Sequence, residues 1–324
     1  MPVELALVAH APKPPLSLSL VLGSGGARGY AHIGVIEELL AQGFDIRSIA
    51  GSSMGALIGG VYAAGKLDAY RDWVLPFARL DVLRLVDWTI SGGGFIKGDR
   101  IIGALREMIG DIDIEDLPVS YTAVAVDLDA QREVWFSRGS LFDAIRASIA
   151  IPTIFRPHHY EGRLFVDGGL LNPLPVSPTL RDLTNATIAV DVNAPAEPLD
   201  GVPVADGSTA ESAADPAVNL PSKRARRMGR LIGSLLDRRN SRAVARDPSI
   251  LELFARSLDT VQETITRLKL AAQPPDLLIT IPRNVCTFYD FHRAEEAIEI
   301  GRRRTREALA RWPRPRPWSA GLRD

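Results

Sequence analysis

Two glycine-rich turns, each between a strand-like and a helix-like run, constrain the fold more than any other feature of this sequence. The run LSLSLVL, which ends at Leu22, predicts a strand, and the turn GSGGARG leads from it into a helix predicted over 27–43. The run IRSIA predicts a second strand, and the turn GSSMG leads into a helix predicted over 54–65. This order is typical of a parallel sheet covered by helices. The sequence therefore predicts an α/β fold with three layers, α/β/α, and a mainly parallel central sheet.

The rest of the chain continues with strand-like and helix-like runs. LFDAIRASIA predicts a short helix that Pro152 ends, because the residue before a proline disfavours helical backbone angles. An apolar stripe over 251–268 predicts a long helix, which Asp247 and Pro248 start well. The stripe fits a core or a dimer contact, which leaves a homo-oligomer open. Strands are predicted at VSYTAVAVDL, REVWFS, GRLFVDGG, ATIAVDVN and PDLLITIP, and a closing helix at FHRAEEAIEIGRRRTREALARW.

Changes in composition divide the chain. Residues 1–16 are expected to form an N-terminal tail, 17–310 one α/β domain, and 311–324 a C-terminal tail. A stretch at about 196–222 is rich in Pro, Ala, Gly, Ser and Asp and has little to bury, so it is predicted to be a flexible insertion. No internal repeat is evident.

Charge and apolar content narrow the class of protein. A formal net charge of -1 argues against nucleic-acid binding, which usually needs a basic domain. Cys286 is the single cysteine, so no intrachain disulfide can form. The N-terminus lacks the pattern of a signal peptide, and no run approaches the ~18 apolar residues of a spanning helix. These features indicate a cytoplasmic protein, and they leave peripheral contact with a membrane open.

The first glycine turn, Gly23 to Gly29, is suited to an anion, because backbone N–H groups and a helix N-terminus meet there. Nucleotide binding is one alternative for such a turn. A dinucleotide fingerprint would need Gly or Ala where Arg28 stands, and an acid where the second strand ends at Ala50. The Gly-Lys-Ser/Thr of a phosphate-binding P-loop is also missing. A nucleotide-binding module is therefore disfavoured.

The second turn, Gly51 to Gly55, matches G-x-S-x-G with Ser53 at its centre. A strand before it and a helix after it are the context that a nucleophile elbow requires. Gly51 and Gly55 are expected there because larger side chains would collide in so sharp a turn. Ser52 is interpreted as a turn residue.

A nucleophilic serine needs a base, and no histidine stands out. Only His292 follows in the order Ser–Asp–His that a triad of the α/β-hydrolase type would need. The five histidines are His10 in the tail, His32 in the first helix, His158 and His159 in a predicted loop, and His292 at the start of the last helix.

Asp167 is the better candidate for the base. An apolar strand leads into it, and Gly168 and Gly169 follow, which permits unusual backbone angles and close approach of another segment. An ordinary Asp-Gly turn would look the same, but together with the two glycine turns this motif suggests a Ser–Asp pair without histidine.

These motifs together resemble the patatin-like phospholipase family. The resemblance rests on GSGGARG, GSSMG and DGG in that order, on IRASIAIPTIFRP and on GGGFIKGDRI, and it covers about residues 17–310. The bacterial branch related to neuropathy target esterase fits best, because PDLLITIP and YDFHRAEEAIEIGRRR are similar to it. A patatin-like catalytic domain over 17–310 is the implied fold.

The resemblance implies a serine acyl hydrolase that acts on fatty-acyl esters of (lyso)phospholipids or related lipids. Ser53 would be the nucleophile and Asp167 the general base of a dyad. The N–H groups of Gly25 and Gly26, with Arg28, would form the oxyanion hole. No cofactor and no metal are expected, and the carboxylate-rich run DIDIED is interpreted as a solvated loop.

Two further expectations stay open at this stage. Residues 223–239 are basic on one side and apolar on the other, which fits either a lipid surface or a helix docked on the core. A catalytically silent relative that binds lipid as a regulator is the other reading of the family resemblance.

Overall fold

The computed structural model describes residues 15–78, 94–96, 99–198 and 250–315. The chain divides into two compact units, one made of 1–205 with 259–324 and the other of 206–258. Within the second unit the described residues are 250–258, and they are helical. Nearly all of the predicted insertion at 196–222, and the whole predicted helix at 223–239, lie outside the described residues.

The chain begins in the order strand, helix, strand, helix, as the glycine turns predict. The strands are β1 Ser17–Leu22, β2 Asp45–Ser52, β3 Gly94–Ile96, β4 Ser120–Asp127, β5 Arg132–Phe136, β6 Thr153–Phe155, β7 His158–Tyr160, β8 Arg163–Asp167, β9 Ala186–Ala194 and β10 Leu277–Pro282. The helices are α1 Ala31–Ala41, α2 Met54–Ala63, α3 Leu67–Val74, α4 Asp99–Ile109, α5 Leu141–Ser148, α6 Ile250–Ala272 and α7 Ala294–Arg311.

The main sheet has the order β10-β9-β1-β2-β4-β8-β7, with β5 paired to β4. The pairs from β10 to β4 are parallel, whereas β4 pairs with β5 and β8, and β7 with β8, in antiparallel fashion. β3 and β6 form a separate parallel pair. The predicted α/β fold, with a mainly parallel sheet flanked by helices, is confirmed.

The register of β4 brings two strand ends together. β2 runs parallel to β4 and ends with Ser52 opposite Val124. β8 runs antiparallel to β4 and ends with Asp167 opposite Ala125. β5 pairs with the overlapping residues 123–127, so it occupies the other edge of β4. β2 and β8 therefore approach each other end to end along one edge of β4, and their carboxyl ends meet.

Close packing of two helices covers one part of the sheet. A Cβ atom added at Gly34 of α1 would lie 1.9 Å from the Ile298 carbonyl oxygen of α7. One added at Gly301 of α7 would lie 2.1 Å from the Ala31 carbonyl oxygen of α1. Because real Cβ atoms are not found so close to backbone, only glycine permits this approach of α1 to α7.

Several sequence-based boundaries were wrong. β2 continues past Ala50 to Ser52, because both added residues pair with β4. The predicted helix over 27–43 begins instead with a 3₁₀ turn at Gly26–Tyr30 and becomes α-helical at Ala31. His158 and His159 lie in β7 rather than in a loop, and α7 begins at Ala294, after His292. The elements that the sequence did not predict are α3, α4, β3, β6 and β7.

Candidate active site

Ser53 occupies a sharp turn between β2 and α2. Its backbone angles are φ 55° and ψ -123°, a region that non-glycine residues rarely adopt. A Cβ atom added at Gly51 would lie 2.4 Å from the Gly55 carbonyl oxygen, and one added at Gly55 would lie 2.0 Å from the Leu22 carbonyl oxygen. Gly51 is therefore required by space within the turn, and Gly55 by the close approach of the turn to β1.

Two hydrogen bonds hold the backbone of this turn. The Ser53 carbonyl accepts from the Leu57 N–H at 3.0 Å, which is the first bond of α2. The Ser53 N–H donates to the Ser148 hydroxyl at 2.9 Å. The Ser148 hydroxyl in turn donates to the Val124 carbonyl at 2.6 Å.

Asp167, the last residue of β8, faces Ser53. The Ser53 hydroxyl donates to Asp167 Oδ2 at 2.6 Å, and the Gly169 N–H donates to Asp167 Oδ1 at 2.7 Å. The N–H of Asp167 donates to the Ala150 carbonyl at 3.0 Å. Ser53 and Asp167 are each only 3% exposed to solvent. The structure thus brings together the two residues that the sequence paired across 114 positions.

Burial changes the acidity of this carboxyl. Loss of water raises the pKa of Asp167 from its ordinary value of 3.8 to about 7, against the smaller lowering effect of the bonds from Ser53 and Gly169. A carboxylate with a pKa near neutrality is a much better proton acceptor than an exposed aspartate. The pair is therefore equipped for a proton transfer from the serine hydroxyl.

The first glycine turn lies beside the same serine. A Cβ atom added at Gly29 would lie 2.4 Å from the Cβ of Met54, the residue after Ser53. Gly26 has φ +56°, and a Cβ atom there would lie 2.6 Å from the Phe288 carbonyl oxygen. Only glycine fits Gly26 without moving the Phe288 backbone.

The N–H groups of this turn are not all used. Those of Gly23, Ser24 and Ala27 donate to the carbonyls of Val190, Pro173 and Phe288 at 3.0, 2.8 and 3.0 Å. Those of Gly25 and Gly26 donate to no other group in the part of the chain that the structure describes. The turn thus presents two free donors, which is the chemistry of an anion or oxyanion site.

Arg28, a residue of this turn, is buried. Its Nη2 lies 3.6 Å from Asp259 Oδ1 of α6, and its Nε has no hydrogen-bond partner among the described residues. At 3.6 Å the two groups form an ion pair, but they are too far apart for a hydrogen bond. Arg28 therefore places a positive charge inside the protein within the segment of the glycine turn.

Among the described residues, no histidine hydrogen-bonds to Ser53 or Asp167. His32 is fully buried in α1 and shares a 2.8 Å hydrogen bond with the Gly23 carbonyl through Nε2. Burial lowers the pKa of His32 to about 4, with the Gly23 bond opposing it, so the ring is neutral at pH 7 and donates to that carbonyl. His158 instead contacts Asp143 at 3.0 Å.

Four polar contacts of the site were missed by sequence reasoning. His32 and Ser148 hold the two glycine turns, the Ala150 carbonyl holds Asp167, and Gln262 of α6 accepts from the Ser24 hydroxyl at 3.3 Å. A polar residue within the apolar run of α1 was the only local signal for His32. Gln262 had no such signal, because Thr266 is its buried neighbour on α6 and the apolar residues Val261 and Leu268 of that helix are exposed. Ser148 stood within IRASIAIPTIFRP, the segment that carried part of the family resemblance.

The described residues contain no group of three or more His, Cys, Asp or Glu side chains that could hold a metal ion. None of their helices combines the length and the apolar character that crossing a membrane would take.

The fold and the site define an α/β protein with a buried serine–aspartate pair where two strand ends meet. Residues 20–180 match the model of the patatin-like phospholipase family. An uncharacterized NTE family protein of Mycobacterium tuberculosis is 40% identical over 357 aligned positions, with 95% of each chain covered. The chain belongs to the patatin-like phospholipase family, as the resemblance implied.

More distant relatives share parts of the chain. Neuropathy target esterase of Drosophila persimilis is 32% identical over 166 aligned positions, which cover 49% of this chain and 12% of that protein. The crystal structure of VipD from Legionella pneumophila aligns with 14% identity and a TM-score of 0.44, covering 93% of this chain and 67% of VipD.

Proposed function

We propose that this chain is a serine acyl hydrolase that cleaves fatty-acyl esters of lysophospholipids or related lipids, with Ser53 as nucleophile and Asp167 as base. The observation that carries the proposal is the 2.6 Å hydrogen bond from the Ser53 hydroxyl to Asp167 Oδ2 within a buried pair. The names of the family and of its esterase relatives support hydrolysis of lipid esters.

Acylation begins as Ser53 Oγ attacks the carbonyl carbon of the ester and its proton passes to Asp167 Oδ2. The carbonyl oxygen becomes an oxyanion, which the free N–H groups of Gly25 and Gly26 are proposed to bind. When the tetrahedral intermediate collapses, the C–O bond to the alcohol breaks, and the alcohol leaves with the proton from Asp167. The products of this half are the free alcohol and an acyl ester on Ser53.

Deacylation repeats these steps with water. Asp167 takes a proton from a water molecule, whose oxygen attacks the acyl carbon. The Ser53 Oγ–carbon bond then breaks, and Ser53 recovers its proton from Asp167. Fatty acid is released, and one water is consumed in each cycle.

Electrostatics favour these proton transfers. Asp167 is about half ionised near pH 7, so a proton acceptor is available at neutral pH while the driving force for accepting the proton is increased. One oxyanion donor typically contributes about 3 kcal/mol to the transition state. The buried charge of Arg28, which is itself a residue of the glycine turn, is proposed to act in the same direction.

Contact with a lipid surface is part of the proposal. It rests on the sequence pattern of 223–239, whose basic and apolar residues are spaced as in an interfacial helix, and this segment is proposed to bind transiently at an interface from the cytoplasmic side.

Fatty-acid release from lysophosphatidylcholine micelles, by wild type and Ser53→Ala side by side, tests the function. We expect release by wild type that is lost in Ser53→Ala. Release that persists in the variant would overturn Ser53 as nucleophile. If neither chain releases fatty acid from this or from short-chain esters, the reading as a lipid-binding regulator replaces the hydrolase.

A further inference from the structure

The end of α5 contacts the backbone of both proposed catalytic residues. Ser148, the last residue of α5, accepts the Ser53 N–H through its hydroxyl at 2.9 Å. Two residues later, the Ala150 carbonyl accepts the Asp167 N–H at 3.0 Å. One short segment, Ser148–Ala150, therefore connects the backbone of the nucleophile with that of the base.

This contact lies where β2 and β8 meet on β4. Val124 is opposite Ser52 at the end of β2, and the next residue, Ala125, is opposite Asp167 at the end of β8. The Ser148 hydroxyl donates to the Val124 carbonyl at 2.6 Å. A Cβ atom added at Gly168 would lie 2.0 Å from that carbonyl oxygen, so the junction is closely packed from both strands.

The chemistry of the hydroxyl matches this double contact. A hydroxyl has one proton to donate and lone pairs to accept with. Donation to Val124 directs the Ser148 proton away from Ser53 and leaves a lone pair for the Ser53 N–H. Ser148 has 0% exposure, so no solvent replaces either bond. An alanine at this position would leave the Ser53 N–H and the Val124 carbonyl without this partner.

Ser53 depends on this bond because its backbone conformation is unfavourable. A φ of 55° in a non-glycine residue persists only where the surrounding contacts hold it. The Ser53 carbonyl is held within α2, and the Ser148 hydroxyl is the partner of the Ser53 N–H. Without the Ser148 hydroxyl, the Ser53 N–H loses its hydrogen bond, and the turn is no longer held where β2 enters it.

We propose that Ser148 is a positioning residue that fixes the strand side of the Ser53 turn to β4 and so sets the distance from Ser53 Oγ to Asp167. This inference rests on the proposed function. It assigns a physical role to the serine of the segment IRASIAIPTIFRP, outside the glycine turns and the DGG motif.

The test compares Ser148→Ala and Ser148→Cys with wild type and with Ser19→Ala. The cysteine, whose sulfur is somewhat larger than the serine oxygen, keeps one polar side-chain atom and weakens both hydrogen bonds. Ser19 is the control, because it is also fully buried and its hydroxyl shares one hydrogen bond, at 2.8 Å, with the hydroxyl of Thr184. It lies in the first half of β1, before the end of the strand that leads into the glycine turn. Each chain is assayed for kcat and KM on a soluble short-chain ester and for its rate of labelling by a fluorophosphonate.

Ser148→Ala is expected to lower kcat and the labelling rate by roughly 10- to 100-fold with KM within about twofold, since misplaced reacting groups cost that much. Ser148→Cys is expected to fall between it and wild type, and Ser19→Ala to keep kcat within about twofold. The acid limb of the pH profile should also move to higher pH in Ser148→Ala, because the bond from Ser53 lowers the pKa of Asp167 and would be weakened.

Three results would overturn the inference. The first is wild-type kcat and labelling in Ser148→Ala or, if that variant does not fold, in Ser148→Cys. The second is an equal loss in Ser148→Ala and Ser19→Ala, which would indicate general destabilisation. The third is a wild-type chain that hydrolyses no ester and is not labelled at Ser53. This last result would remove the proposed function itself, whereas the first two leave it intact.

Discussion

Replacing Asp167 by asparagine should stabilise the protein at neutral pH while abolishing its activity. Asparagine has the same shape, its oxygen can still accept from the Gly169 N–H, and its amide can contact Ser53 Oγ. What it removes is the charge that wild type must bury whenever Asp167 ionises. The proposed base is therefore a position where function costs stability.

The pKa of Asp167 gives the size of this effect. Its folded value, about 7, lies about three pH units above the ordinary value of 3.8, and at about 1.36 kcal/mol per unit this is about 4 kcal/mol. Between these two values the folded chain binds more protons than the unfolded chain, so this group's contribution to stability falls as pH rises. The loss begins near pH 4 and is complete above pH 7.

Urea unfolding of wild type and Asp167→Asn at pH 4.5 and pH 8 measures this effect. The second amide N–H of asparagine is left without a partner, which costs about 1 kcal/mol at either pH. We therefore expect the variant to be about 3 kcal/mol more stable at pH 8, with most of that advantage lost at pH 4.5. The direct structural effect of asparagine is the same at both pH values, so it cancels when the stability difference between variant and wild type at pH 4.5 is subtracted from that at pH 8. An advantage that is the same at both pH values would refute the raised pKa and the reasoning built on it.

Three further predictions concern the base, the glycine turn and the packing of two helices. The pH profile of kcat/KM should have an acid limb with its midpoint near pH 7 in both wild type and His292→Ala; loss of activity in a folded His292→Ala would favour a triad over the pair. Gly26→Ala should lower kcat by roughly 100-fold or more, because the added Cβ would push the turn from Phe288 and displace the oxyanion donors; full activity would remove the turn from the mechanism. Gly301→Ala should reduce the free energy of unfolding by about 1–3 kcal/mol in urea, since its Cβ would meet the Ala31 carbonyl of α1. KM of that variant should stay unchanged, and unchanged stability would contradict the close approach of α1 to α7.

The glycine turns could be predicted from sequence because each is a short pattern between an apolar strand-like run and an apolar helix-like run. Gly51 is fixed by space within its own turn, next to the Gly55 carbonyl, whereas Gly55 is fixed by the Leu22 carbonyl of β1, a contact that the pattern does not show. Those local patterns were sufficient for the α/β fold and for selecting Ser53 and Asp167 as neighbours at strand ends.

The arrangement around those two residues depends on contacts between distant positions. The end-to-end meeting of β2 and β8 on β4 is a matter of register, which no single segment encodes. The Ser148 bond to Ser53 spans 95 positions, and a serine at the end of a short helix has no pattern that predicts it. The three-residue strands β3, β6 and β7 were missed because such short strands carry too little alternation to detect.

The most direct test of the Ser53–Asp167 pair is to locate and time the covalent label from a fluorophosphonate at pH 8. Fluoride leaves as Ser53 Oγ bonds to phosphorus, so mass spectrometry of the digested chain identifies the nucleophile. We expect one phosphonyl group per chain on Ser53 of wild type, and labelling slower by roughly 10²- to 10⁴-fold in Asp167→Asn. A label on another residue, or labelling of Asp167→Asn at the wild-type rate, would contradict the Ser53–Asp167 pair.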